Sequence, residues 1–411
     1  MINVTTSRHT FAATASLSTA LLLGLLALKV ISPHLPSQGL AGWLHEAIEV
    51  CRGRDIAPDR YSRAENGGYY ERLLSGSHEG RDRSLLERVL KGKYVPPFDP
   101  YIRGGFLVYR PKPSINQATI EDGNFETNSH GMIDREYSEI KPKGTFRIAL
   151  LGDSIVRGRG LPNPNEERFE ALLEKRLNDN LPSDQIKHVE ILNFSVSGYR
   201  PTQMYYVATE IAPKFQPDMY LMSVTPLGLA PSAGAHLGTL GTQGIDPRYD
   251  FMRETLKAAR VTRSDSYGEA LLKVAPYRLA LLRDVLVHLK AQAAAQGAAF
   301  GVLLLPGTEV PRVTKTRFEG IPEFIENTGV PTIDIRDTFD HVSDIESMRL
   351  YWSDVHPNIA GHQLLADNFY RKLQAQPALW SVLTRTETPS GSQTAITASA
   401  KTETDHRSVS R

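Results

Sequence analysis

From Phe146 onward, short apolar runs alternate with longer amphipathic stretches. Residues 147–151, 189–193, 219–224, 300–305 and 332–335 have strand length and apolar or β-branched character. Residues 166–177, 202–211, 277–296, 321–327 and 359–373 carry helical spacing between them. Strictly alternating strands and helices predict a parallel sheet with helices on both faces, an α/β fold. Residues 227–267 are long for a connection and predict a lid or a substrate-binding insertion.

The first third of the chain reads differently. Residues 11–32 form a nearly unbroken run of apolar and small residues, preceded by Arg8 and closed by Lys29 and Pro33. That length suits a bilayer-spanning helix and exceeds a typical signal-peptide core. The expectation is an uncleaved signal anchor after a cytoplasmic stub over residues 1–10, with a cleaved signal peptide as the other reading. Residues 33–145 then form an upstream region, helix-like at first and rich in Pro, Gly and aromatics towards its end, predicting a small extended or β-rich subdomain. The catalytic-looking unit covers residues 146–384, and residues 385–411 are Ser/Thr/Ala-rich and predict a disordered tail.

Composition changes this picture little. The chain has 411 residues, with 47 basic against 46 acidic side chains and a net charge of +1, and the Lys and Arg are scattered. No basic face for nucleic acid is expected. The single cysteine, Cys51, excludes an intramolecular disulfide and sits in a charged segment unsuited to a nucleophile. No His-Glu-x-x-His or similar spacing occurs, so neither a metal nor a cofactor is expected. The oligomeric state stays open.

The candidate chemistry begins at the end of the first apolar run. Gly152-Asp153-Ser154 follows it directly, and a serine just past a buried strand projects its hydroxyl from the sheet edge. The bland reading is a turn serine capping the next segment. Far downstream, Asp354-Val355-His356-Pro357-Asn358 supplies an imidazole that could take the Ser154 proton and a carboxylate that could fix its tautomer.

These segments carry a resemblance. Gly152-Asp153-Ser154, then Asn193-Phe194-Ser195-Val196-Ser197-Gly198, then Asp354-Val355-His356-Pro357-Asn358 resemble blocks I, II and V of the SGNH (GDSL) hydrolase superfamily. The lead-in Thr127-Asn128-Ser129-His130-Gly131 is similar to that of bacterial extracytoplasmic members. The resemblance covers about residues 125–375. It implies a three-layer α/β/α, flavodoxin-like parallel sheet. It also implies Ser154 as nucleophile, His356 as base, Asp354 as the group orienting His356, and the backbone N–H groups of Ser154 and Gly198 as oxyanion donors.

Two departures stand out. The family's third block ends a strand with an Asn whose amide is a further oxyanion donor, and here Leu227 falls in that slot; Thr225 and Ser223 are nearby hydroxyls. Many members carry an Asp three residues before the His, where this chain has Ser353; Asp354 stands at the other spacing the family uses. Asn193, Ser195, Ser197, His288 and His362 read as structural residues.

With the apolar N-terminus, the resemblance implies an exported, membrane-anchored serine esterase. Its substrate would be an acylated carbohydrate or other envelope ester, O-acetyl in particular. An O-acetyltransferase using the same acyl-enzyme, and a degenerate domain that binds glycan without turnover, are the two other readings.

Overall fold

The computed structural model describes residues 100–384 except 117, 121, 122, 352 and 353. The expected cytoplasmic stub, the membrane anchor over 11–32, Cys51, Ser353 and the tail over 385–411 lie outside the described residues. Among the described residues no helix is long and apolar enough to cross a membrane.

Two antiparallel hairpins open the described region: β1 (Tyr101–Arg103) with β2 (Tyr109–Pro111), and β3 (Ala118–Ile120) with β4 (Gly123–Phe125). The rings of Tyr109 and Phe125 meet Tyr101 edge-on at 5.5 and 5.6 Å, an arrangement that favours aromatic quadrupoles. Both hairpins fall within the Pro-, Gly- and aromatic-rich end of the upstream stretch. It is tied to the rest of the chain: Tyr109 Oη donates to the Ser197 carbonyl at 2.7 Å, and Tyr199 Oη donates to the Tyr109 carbonyl at 3.0 Å.

The remaining strands are β5 (Thr145–Leu151), β6 (His188–Asn193), β7 (Met219–Val224), β8 (Ala299–Leu304) and β9 (Thr332–Asp334). All pair in parallel in the order β6-β5-β7-β8-β9, the doubly wound, flavodoxin-like order that the resemblance implied. Strand alternation divides the core between the two faces. Ile148, Leu150, Met219 and Leu221 face one cluster, while Ala149, Leu151, Tyr220 and Met222 face the other. Burial on both sides explains why these strands read as continuous apolar runs.

The helices depart from expectation in three places. The stretch read as one helix over 166–177 is two, Pro164–Glu167 and Phe169–Asp179, separated by an extended Arg168 (ψ 147°). The break lets the Arg168 guanidinium turn inward, where its Nη2 lies 2.9 Å from Asp134 and its Nε 2.7 Å from Glu170. The expected helix over 202–211 is α-helical only over Pro201–Tyr206 and continues as a π turn over Val207–Ile211. There the Thr209 hydroxyl bonds the Tyr205 carbonyl at 3.0 Å and competes with the helical ladder. Finally, the long connection after β7 is mostly helical, with Ala235–Gln243, Asp250–Ala259 and Tyr267–Val274 as its main pieces.

Candidate active site

Parallel topology gathers the carboxyl ends of the strands at one edge of the sheet, where ligands of open α/β sheets bind. Gly152-Asp153-Ser154 leaves the end of β5, between its neighbours β6 and β7. A Cβ at Gly152 would lie 2.4 Å from Val156 Cγ2 and 2.8 Å from Ser195 Oγ, so only glycine fits this turn. Asp153 then folds the chain over: its Oδ1 accepts the Ile155 N–H at 3.0 Å, and its carbonyl accepts the Arg157 N–H at 2.9 Å. Ser154 is held at the start of that turn, 3% exposed.

The second loop, after β6, is organised by Asn193. Its Oδ1 accepts the Ser195 N–H at 2.9 Å, while its Nδ2 donates to the Val156 carbonyl at 2.9 Å and to Glu170 at 2.8 Å. One amide therefore joins the first two blocks, the structural role expected of it. Ser197 accepts a hydrogen bond from Arg157 Nη1 at 2.6 Å, also as a structural residue. Gly198 has φ +80°, a left-handed conformation that favours glycine.

The third piece comes from the far end of the chain. The Leu350 N–H donates to the His356 carbonyl at 2.9 Å, and the Thr308 N–H donates to the Val355 carbonyl at 2.8 Å. Asn358 caps the helix Ile359–Gln374 by accepting the Gly361 N–H at 3.1 Å, and its Nδ2 reaches back to the Ser347 carbonyl at 2.8 Å. The loop is thus fixed on both sides of His356. His356 Nε2 lies 2.8 Å from Ser154 Oγ, and His356 Nδ1 lies 2.6 Å from Asp354 Oδ1. The structure brings together all three side chains singled out in the sequence, across 202 residues of chain.

The electrostatics suit this chain of contacts. Burial alone would raise the Asp354 carboxyl, but the His356 charge and hydrogen bond and the Arg159 charge outweigh it and hold the group at about 2. Asp354 stays ionised and orders the imidazole. With Nδ1–H directed at Asp354, Nε2 carries the lone pair that faces Ser154, the tautomer a general base requires. His362, on the next helix, has no such part. Burial and the Arg168 and His356 charges push it down to about 3, and its neutral Nδ1 accepts the Phe169 N–H at 3.3 Å.

Leu227 lies just beyond β7 in the short helix Pro226–Leu229. It brings a backbone carbonyl to this region and no side-chain donor. The Thr225 hydroxyl, a candidate substitute, donates to Asp153 instead. Ser223 Oγ is buried with no hydrogen-bond partner among the described residues.

Sequence reasoning missed two residues here. His236 is buried and bridges the Thr202 hydroxyl at 2.8 Å and the Phe106 carbonyl at 2.6 Å, pinning the insertion to the upstream hairpin. Arg200 stands two residues past Gly198 and donates from Nη1 to the Leu227 carbonyl at 2.9 Å. An arginine directly ahead of the helix Pro201–Tyr206 was the one signal available for it.

No family model matches this chain, and no curated protein matches it. Solved structures similar to it include the psychrotrophic esterase EstA from Pseudoalteromonas sp., at 16% identity over 56% of this chain and 97% of that one, with a TM-score of 0.35. The acetylxylan esterase Axe2 from Geobacillus stearothermophilus is similar at 16% identity over 60% of this chain and 100% of that one, TM-score 0.36. TesA is similar at 17% identity over 56% of this chain and 98% of that one, TM-score 0.35. At these identities and TM-scores, the chemistry has to be read from the site itself.

Proposed function

We propose that this chain is a serine esterase of the SGNH type, and the observation that carries the reading is the continuous Ser154–His356–Asp354 hydrogen-bond chain. His356 Nε2 takes the Ser154 proton as Oγ attacks the ester carbonyl, then returns it to the departing alcohol. Water, activated by the same imidazole, releases the acyl group. The Ser154 and Gly198 N–H groups face the developing oxyanion; among the described residues the Gly198 N–H has no other partner. Substrates in this reading are O-acyl esters, O-acetyl groups on a carbohydrate or envelope polymer first among them. The apolar segment over 11–32 supports placement of the catalytic unit outside the cytoplasm, anchored to the membrane.

The test is labelling of the full chain in detergent with a fluorophosphonate, alongside hydrolysis of aryl acetates. Wild type is expected to label and turn over, and Ser154→Ala to do neither. A wild type that fails to label, or equal labelling of Ser154→Ala, overturns the reading. The missing Asn at Leu227 favours a second reading, a glycan-binding domain without turnover, and the same experiment decides between them. Sugar acceptors added to the acetate assay separate a transferase from a hydrolase.

A further inference from the structure

Sheet order puts Arg200 in an informative place. It lies in the loop after β6, yet its Nη1 bonds the Leu227 carbonyl in the segment after β7. β5 lies between those two strands. Neighbouring strands are ~4.8 Å apart, so the loops after the outer two flank the end of β5, where Gly152-Asp153-Ser154 sits, and Arg200 links those loops. The charge of Arg200 acts on both Asp153 and His236, so the guanidinium lies within electrostatic range of the residue that precedes Ser154.

Arg200 is 3% exposed, and its Nε is buried without a hydrogen-bond partner. Among the described residues no carboxylate pairs with it. A guanidinium has five N–H donors, and burial without a counter-charge is costly. The protein therefore holds a buried guanidinium with an unused donor, in the field of Asp153 but in no ion pair among the described residues, next to a site that has no neutral side-chain donor at Leu227.

We propose that Arg200 is a further oxyanion donor, supplying by charge what the Leu227 side chain lacks. This assignment rests on the esterase reading. As Ser154 Oγ bonds the carbonyl carbon, its proton passes to His356 Nε2 and the C=O π pair moves onto the carbonyl oxygen. Arg200 faces that negative charge together with the two backbone N–H groups. When the tetrahedral species collapses, the pair returns, the bond to the alcohol oxygen breaks, and His356 protonates the leaving group.

The test compares Arg200→Gln, Arg200→Lys and the double variant Arg200→Gln/Leu227→Asn in aryl acetate hydrolysis, with thermal midpoints measured in parallel. Arg200→Gln is expected to lower kcat on the order of 10²–10³-fold with KM nearly unchanged, the effect of removing one oxyanion donor. Arg200→Lys keeps the charge and is expected to retain more activity than Gln at a similar thermal midpoint. Leu227→Asn, which restores a neutral donor, is expected to recover at least about tenfold of the Gln loss. A merely structural strap between the two loops would not be rescued by Leu227→Asn. Should Arg200→Gln fail to fold, Arg200→Met serves as the neutral variant. An active wild type with kcat unaffected by loss of the charge, or no recovery in the double variant, overturns the assignment alone. A wild type inert to esters and fluorophosphonate overturns the esterase reading, and this assignment with it.

Discussion

At the scale of single residues, the site depends on which proton each nitrogen of His356 carries. Asp354 Oδ1 accepts from His356 Nδ1 and from the Val355 N–H at 2.7 Å, so the carboxylate is itself held in place. Asp354→Asn presents an amide that no longer selects the Nδ1–H tautomer, and kcat is expected to fall on the order of 10³–10⁴-fold. Steady-state kinetics on an aryl acetate check this, and retention of more than a tenth of the wild-type rate would contradict it. Ser154, His356 and Asp354 were all legible in the sequence, because strand end, loop and helix start leave local marks on residue order. Arg200 was not. Its role depends on what lies across β5, and a single sequence does not say which loops become neighbours.

At the scale of elements, the five strands of the parallel sheet were read almost residue for residue, with β7 matched over its whole length, since burial on both faces leaves apolar runs that little else produces; the short hairpin strands β1 to β4 were not assigned. Helices were harder where a buried polar group overrides the pattern. The break at Arg168 serves a guanidinium that needs Asp134 and Glu170, and periodicity carries no trace of that need. The turn joining β5 to Ser154 is the tightest element of the site. Gly152→Ala would drive a methyl into Val156 and is expected to destabilise the fold by ~1–3 kcal/mol through overpacking. Urea unfolding of the variant measures this, and an unchanged midpoint would show that the turn can relax.

At the scale of the molecule, buried charges connect regions distant in sequence. Arg168 meets Asp134 and Glu170, Glu170 accepts from Asn193, and Arg135 meets Glu174 at 2.5 Å. Burial, with the Asp134 charge, pushes the Glu170 carboxyl from 4.5 up to about 7 against the Arg168 charge and the Asn193 hydrogen bond. A carboxyl raised in the folded state favours folding at low pH. Its contribution is complete below its unfolded value of 4.5 and is lost as pH rises through about 7. Glu170→Gln, fixed in a neutral form, is expected to flatten the fall in urea midpoint between about pH 5 and 8; an identical slope in wild type and variant would refute this. The same network bears on how the protein can be recombined. Asp134 precedes β5 but neutralises a guanidinium beyond it, and Tyr109 is bonded to the loop after β6. A chimera joined at residue 146, the boundary that the sequence suggests, would inherit Arg168 and Glu170 and leave Asp134, the second carboxylate of that cluster, with the discarded parent. Crossovers that keep this ion pair have to fall before Asp134, and those that also keep the hairpin carrying Tyr109 before Tyr101, so the heritable unit of this fold is longer than its sheet.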